Sequence, residues 1–211
     1  MQEEYTKETR KENKTTSGIY EIVESLVLAI VCVILIFTFI ARMSIVSGAS
    51  MEPTLHDKDY LVVSNLFFSY NPKHGDVVVA EPDNYHEPIV KRVIAKEGQE
   101  VKIVYSMDLG RYGDCVYDVY VDGILLDERD YAFYNSFNYL YIAPDGAHWT
   151  KTSEGALITA TTIVPENHLF LMGDNRNNSK DSRSSEIGFV HEDYIVGKCV
   201  FRIFPNTGLV K

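Results

Sequence analysis

Hydrophobic and polar positions divide the chain into two regimes. From Ser25 to Ala41 runs "SLVLAIVCVILIFTFIA", 17 residues without a charge, and no polar stripe at the helical period interrupts it. Met43, Ile45 and Val46 carry the apolar character past Arg42. At about 1.5 Å per residue, such a run just crosses a hydrocarbon core of about 30 Å. The pattern therefore predicts a transmembrane helix, taken as residues 25–43. A cleaved signal peptide is the rival, since "SGA" at 47–49 offers small residues at a cleavage site. Against it, the run exceeds the roughly 7–15 residues of a signal-peptide core, and the segment ahead is long and acidic. Lys7, Arg10, Lys11 and Lys14 outnumber Arg42 on the other flank, and orientation follows Lys/Arg rather than net charge. The expectation is a single-pass cell-membrane protein, with residues 1–24 a cytoplasmic tail and residues 44–211 extracytoplasmic.

Beyond the run the period changes to two. The stretches 60–65, 76–80, 89–95, 100–105, 116–123, 168–172 and 194–204 are rich in Val, Ile, Tyr and Phe, and Gly, Pro, Asn and Asp separate them. They read as short strands, and no segment after residue 44 holds a helical period over a dozen residues. The fold class expected is mainly β: an antiparallel, sandwich- or barrel-like domain preceded by one transmembrane helix. Residues 106–162, Tyr-rich and punctuated by Gly and Asp, read as an inserted subdomain.

Composition narrows the function. The chain has 211 residues, 45% hydrophobic and 24% charged, with a formal net charge of −10, which argues against wholesale disorder. Residues 44–211 hold 15 Lys/Arg against 24 Asp/Glu, a balance of −9. Such a surface repels phosphate backbones, so nucleic acid is not expected as a partner. Cys32, Cys115 and Cys199 form no C-x-x-C pair, and the six histidines show no ligand spacing, so no metal site is expected. A Cys115–Cys199 bridge stays open at this point.

Three stretches of the outer domain carry candidate chemistry. "SGASMEPTL", 47–55, is small and flexible up to Ser50, and Pro53 stiffens its exit, which suits a turn with an accessible Ser50 N–H. A hydroxyl needs an adjacent base to become a nucleophile, and no histidine lies in a suggestive setting. A plain turn serine reads equally well from this stretch alone. In "EPIVKRVIAKEG", 87–98, alternation places Ile89, Lys91, Val93 and Ala95 on one face, and Val90, Arg92 and Ile94 on the other. Burying a lysine disfavours its charged form and brings its pKa from about 10.4 towards about 7–8. That makes Lys91 a candidate general base, a part Arg92 cannot play because guanidinium does not deprotonate in proteins. The plain alternative is an edge-strand lysine that snorkels to water. "MGDNRNNSKDSRSSEIG", 172–188, reads either as a solvated loop or as a polar network in which Ser179 holds the lysine amine and Asp181 pairs with Arg183. "NNS" at 177–179 matches a glycosylation sequon, a pattern short enough to arise by chance.

In this order behind one anchor, "SGASMEPTL", "GDVVV" (75–79), "KRVIAKEGQEV" (91–101) and "GDNRNNSKDSR" (173–183) resemble the type I signal peptidases. "YVDGILLDE" and "VPENHLFLMGDNR" look like that family's flanking strands. The likeness spans most of residues 20–205, and the single anchor resembles the Gram-positive branch. It implies a serine endopeptidase that removes signal peptides from secretory precursor proteins at the lipid bilayer, close to the translocon, with no cofactor. Position by position, it implies Ser50 as nucleophile and Lys91 as general base. Ser179 and Asp181 are implied as groups that order the lysine, and Met51, Asp174 and Arg183 as positions that shape the site. Two departures stand out. Gly48 occupies the position where double-anchored members carry an oxyanion-donating serine, and "AKEGQ" replaces the Gly-Leu-Pro-Gly-Asp turn after "KRVI". Three other readings compete. A peptidase specialised for one precursor class, such as pilins, shares every motif. A self-cleaving repressor-type Ser/Lys protease shares the pair but lacks an anchor. A catalytically silent membrane-tethered binding protein needs no paired serine and lysine.

Overall fold

The computed structural model describes residues 18–35, 41–64, 71–106, 117–134, 149–154 and 157–210. The chain divides into two compact units, one up to Ala41 and one from Arg42 onward. The described part of the first is essentially one helix, α1, Gly18–Leu35. It begins seven residues ahead of the uncharged run, with Glu21 and Glu24 in its first two turns, where the helix dipole favours negative charge. By length and composition it can cross a membrane, and residues 19–35 are exposed. Residues 36–40 lie outside the described residues. Met43, the last residue of the expected anchor, and Ile45 just beyond it alternate with Arg42 and Ser44 in a strand, β1 (Ala41–Ile45), as period-two apolar spacing dictates.

The remaining strands are β2 (Tyr60–Ser64), β3 (Val77–Ala80), β4 (Ile89–Lys96), β5 (Glu100–Ser106), β6 (Tyr117–Val121) and β7 (Ile124–Leu125). They continue with β8 (Thr150–Glu154), β9 (Leu157–Ile163), β10 (His168–Met172), β11 (Val190–His191), β12 (Ile195–Phe204) and β13 (Gly208–Leu209). Among the described residues they form two sheets. The first has the order β1-β2-β12-β3-β4-β10-β11, with β13 paired to β12, and the second the order β7-β6-β5-β9-β8. Every pair with a described register is antiparallel. The architecture is mainly β, as the residue pattern predicts. The stretch 116–123 is not one strand but the first arm of a hairpin. Asp122 and Gly123 both take positive φ, 49° and 77°, the signature of a tight two-residue turn.

The two sheets share a core. Val101 and Ile103 of β5, Val119 and Val121 of β6 and Ala160 of β9 pack with Ile94, Ala95, Phe170 and Met172 of the first sheet. Trp149 meets Phe170 edge-on at 5.7 Å between ring centres. The strict alternation expected along β4 breaks here. Ile89 and Val93 belong to a cluster with Leu169 and Leu171, whereas Ile94 and Ala95 both join the intersheet core. The cause is a shift in register: Phe170 pairs with Ala95, but its neighbour Leu171 pairs with Val93. Ile94 is thus the extra residue of a β-bulge, which re-aims the strand. Its carbonyl is met by His74 Nδ1 at 2.8 Å. A third cluster joins Met51 and Leu55 to Leu61, Val63, Val77, Val79 and Cys199. Cys199 carries a free thiol, which burial pushes up to about 12, and Cys115 lies outside the described residues.

Candidate active site

The Ser50 turn hangs from that third cluster. Met51 and Leu55, each 1% exposed, anchor the chain on the exit side of the serine, and Leu55 N–H closes on the Met51 carbonyl at 2.9 Å. On the entry side, Gly48 takes φ 87° and donates its N–H to Asp57 Oδ1 at 2.9 Å. From across the domain, Asn175 donates its backbone N–H to the Ser50 carbonyl at 3.1 Å and its side-chain Nδ2 to the Ala49 carbonyl at 3.0 Å. The Ser50 N–H itself donates to no group among the described residues.

Lys91 reaches this turn from the middle of β4. It is buried, and its amine donates to Ser50 Oγ at 2.7 Å and to the Val90 carbonyl at 2.9 Å. Burial is the main reason that its pKa falls from 10.5 to about 8. Asp181 pulls the value up, Arg183 pulls it down and Asp174 pulls it up again. The charges around the amine largely offset one another, so loss of hydration decides the outcome.

The 173–183 loop supplies those charges. Burial alone would raise the Asp181 carboxyl, but the Arg183 guanidinium, the Gly173 N–H and the Ser179 hydroxyl hold it below the usual carboxylate range. Arg183 grips it through Nε and Nη2, both at 2.8 Å, Gly173 N–H donates at 2.9 Å and Ser179 Oγ at 2.7 Å. The Arg183 backbone N–H adds a longer bond to Oδ1 at 3.3 Å, and with five donors the carboxylate is a fully satisfied buried ion. Gly173 has no room for a side chain, because a Cβ there would come within 2.1 Å of Ser179 Oγ and 2.4 Å of the Ser50 carbonyl. Asp174 turns to the other side, where Arg92 takes it through Nε at 2.8 Å and Nη2 at 2.6 Å and Thr54 Oγ1 donates at 2.5 Å.

Ser50 and Lys91 therefore meet directly. Ser179, Asp181 and Arg183 form one network beside them, Met51 sits in the core beneath and Asp174 links the serine turn to Arg92. The hydrogen bond expected from Ser179 to the lysine amine is absent among the described residues: that hydroxyl is spent on Asp181, and its loop acts on the amine through charge. Residue reading passed over Asn175, Thr54 and the structural part of Arg92. A signal existed for Arg92, since a guanidinium in the middle of an apolar strand demands a buried counter-ion. Beside the pair runs a cleft whose walls include Ile45, Val46, Val79, Pro88 and Val90, with Lys180 also lining it. Among the described residues no group of three or more His, Cys, Asp or Glu is arranged to hold a metal ion.

A serine hydroxyl set against the amine of a buried lysine, on an antiparallel sheet, is the constellation of a hydrolase that uses lysine where others use histidine. The chain belongs to the signal peptidase family, peptidase S26, whose family model matches residues 19–204. It is 29% identical to a probable signal peptidase I-2 of Synechocystis sp., over 97% of this chain and 83% of that one. It is 30% identical to a signal peptidase I of Bacillus amyloliquefaciens, over 97% and 98%. With signal peptidase I S of Bacillus subtilis the identity is 32%, over 92% and 94%. The protein is accordingly an enzyme, a serine peptidase.

Proposed function

We propose that this enzyme is a membrane-anchored endopeptidase that removes N-terminal signal peptides from secretory precursors, with Ser50 as nucleophile and Lys91 as general base. The observation that carries this reading is the 2.7 Å contact between Ser50 Oγ and the amine of a buried lysine. The names of the relatives supply the substrate class. A pKa of about 8 leaves about a tenth of the amine neutral at pH 7 and half neutral near pH 8.

In the neutral state Lys91 accepts the Ser50 proton as Oγ attacks the scissile carbonyl. Negative charge then develops on the carbonyl oxygen, towards which the Ser50 N–H can donate. The ammonium returns its proton to the leaving amine, which departs as the new N-terminus of the mature protein. Neutral once more, Lys91 takes a proton from water as its oxygen attacks the acyl ester, and returns that proton to Oγ as the ester bond breaks, which frees the Ser50 hydroxyl and the carboxylic acid product. The cleft beside the pair, walled by apolar (Val46, Val79, Val90) and polar (Ser47, Glu87, Lys180) side chains alike, receives the residues next to the scissile bond. Helix α1, apolar throughout most of its length, serves as the anchor in the lipid bilayer. The Lys/Arg excess ahead of it supports a cytoplasmic N-terminus with the catalytic unit outside, where precursors emerging from the translocon would present their cleavage sites.

The test is cleavage of a precursor carrying a signal peptide by wild type and by Ser50→Ala, with folding followed by circular dichroism. The variant should keep its fold and lose cleavage altogether. Measurable cleavage by Ser50→Ala would remove the serine from the mechanism.

A further inference from the structure

The described segment 128–134, which leads out of the β6–β7 hairpin, reaches back across the domain to the 173–183 loop, which in turn holds the Ser50 turn. Phe133 N–H donates to the Asp174 carbonyl at 2.7 Å, and Arg176 N–H donates to the Phe133 carbonyl at 2.8 Å, so Phe133 bridges Asn175 in parallel. Glu128 adds a two-pronged ion pair: Arg176 Nη1 and Nη2 each donate to one of its carboxylate oxygens at 2.5 Å. The Arg176 side chain is wholly buried and that of Glu128 is 10% exposed. Tyr131 locks the arrangement from the side. Its hydroxyl donates to Glu128 Oε1 at 3.1 Å, and its ring lies 4.2 Å from Arg92 Cζ and 5.7 Å from Arg176 Cζ.

Next to Arg176 stands Asn175, whose two donors hold the Ala49 and Ser50 carbonyls. The Ala49–Ser50 peptide is trans, so its N–H points opposite to its C=O. Fixing the Ala49 carbonyl on Asn175 therefore turns the Ser50 N–H the other way, to the side left open for a developing oxyanion. We infer that Glu128, braced by Tyr131, is a positioning residue for the nucleophile, acting through Arg176 and Asn175 on the direction of the Ser50 N–H. This rests on Ser50 being the nucleophile. It gives the segment after the β6–β7 hairpin a catalytic task. With Gly48 where a side-chain donor could have stood, aim of the one backbone donor matters more.

The experiment measures kcat and KM of the full chain in detergent–lipid micelles with a signal-peptide substrate, normalised to folded enzyme. The variants are Glu128→Gln, Tyr131→Phe, Arg129→Ala and Ser50→Ala. Glu128→Gln keeps the shape but leaves Arg176 without its counter-charge. It should lower kcat about 10- to 100-fold, with KM within about twofold and the pH midpoint unmoved, because the surroundings of Lys91 are intact. Tyr131→Phe should show the same pattern with about a threefold loss. Arg129→Ala, which removes an exposed pair with Asp127, should match wild type. Wild-type kcat in folded Glu128→Gln overturns the inference, as does a raised KM with a shifted pH midpoint, the mark of general loosening. If Glu128→Gln does not fold, Tyr131→Phe decides, and wild-type kcat there overturns it. An active Ser50→Ala overturns the nucleophile assignment and this inference with it, whereas an inactive one beside a wild-type Glu128→Gln overturns the inference alone.

Discussion

Lys91 illustrates how one side chain can oppose folding for the sake of chemistry. Its native pKa of about 8 lies below the 10.5 of an exposed lysine. Below about pH 8 it is charged in both states, and the burial penalty of about 3 kcal/mol weighs fully against the native state. Between about pH 8 and about 10.5 the unfolded chain binds the proton that the native chain has released, so stability rises with pH. Above that window the amine is neutral in both states and the penalty is gone. Lys91→Met should therefore be inactive and yet melt at a higher temperature than wild type at pH 7. The gap should close as pH rises through the window. Melting curves for the two proteins across that range check this, and a Lys91→Met protein less stable than wild type at pH 7 would show that the amine is not desolvated.

At the level of elements, the strands with a β-branched or aromatic pattern were legible: β2, β3, β4, β5, β10 and β12 lie where alternation and flanking Gly, Asn and Asp put them. Those that escaped were two residues long, as β7, β11 and β13 are, continuous with the uncharged apolar run, as β1 is, or rich in Thr and Ser. In "LITATTI", β9, the inward set includes Ala160 and Thr162, which carry little apolar signal although β9 pairs with β5 along seven residues. The bulge at Ile94 was invisible for a different reason. It depends on the register with β10, a partner more than seventy residues away, and no local pattern encodes that. The site divides in the same way. Ser50 and Lys91 could be named from local context and family likeness, and Asp181–Arg183 from spacing. Whether Ser179 faces the amine or the carboxylate depends on the fold of a whole loop, as does the reach of Asn175 to Ala49 and Ser50. Glu128 closes the family-like stretch "YVDGILLDE", but nothing there gives it a role, since a glutamate after a hairpin is ordinarily solvated.

On the scale of the whole molecule, the two units have separable tasks. Ser50, Lys91, the 173–183 loop and both sheets belong to the unit from Arg42 onward, apart from the first residue of β1. Deleting residues 1–40, ahead of β1, should leave a folded β unit that cleaves short soluble peptides at a rate near that of the full chain. On precursors inserted in a bilayer the same deletion should lose far more, because the anchor raises the local concentration of enzyme at the membrane surface. The quantity to compare is the ratio of truncated to full-length activity on each substrate. Equal ratios would deny the anchor any part in catalysis.

The central claim is that a neutral Lys91 activates Ser50. Its most direct measurement is kcat/KM on a signal-peptide substrate from about pH 6 to about pH 11, for wild type and for Lys91→Arg. The account predicts a wild-type profile that rises through a midpoint near the native lysine pKa of about 8, and no activity in Lys91→Arg at any pH, since arginine keeps the charge but supplies no base. A Lys91→Arg enzyme that retains the rising limb, or a wild-type profile still climbing beyond about pH 10, would contradict it.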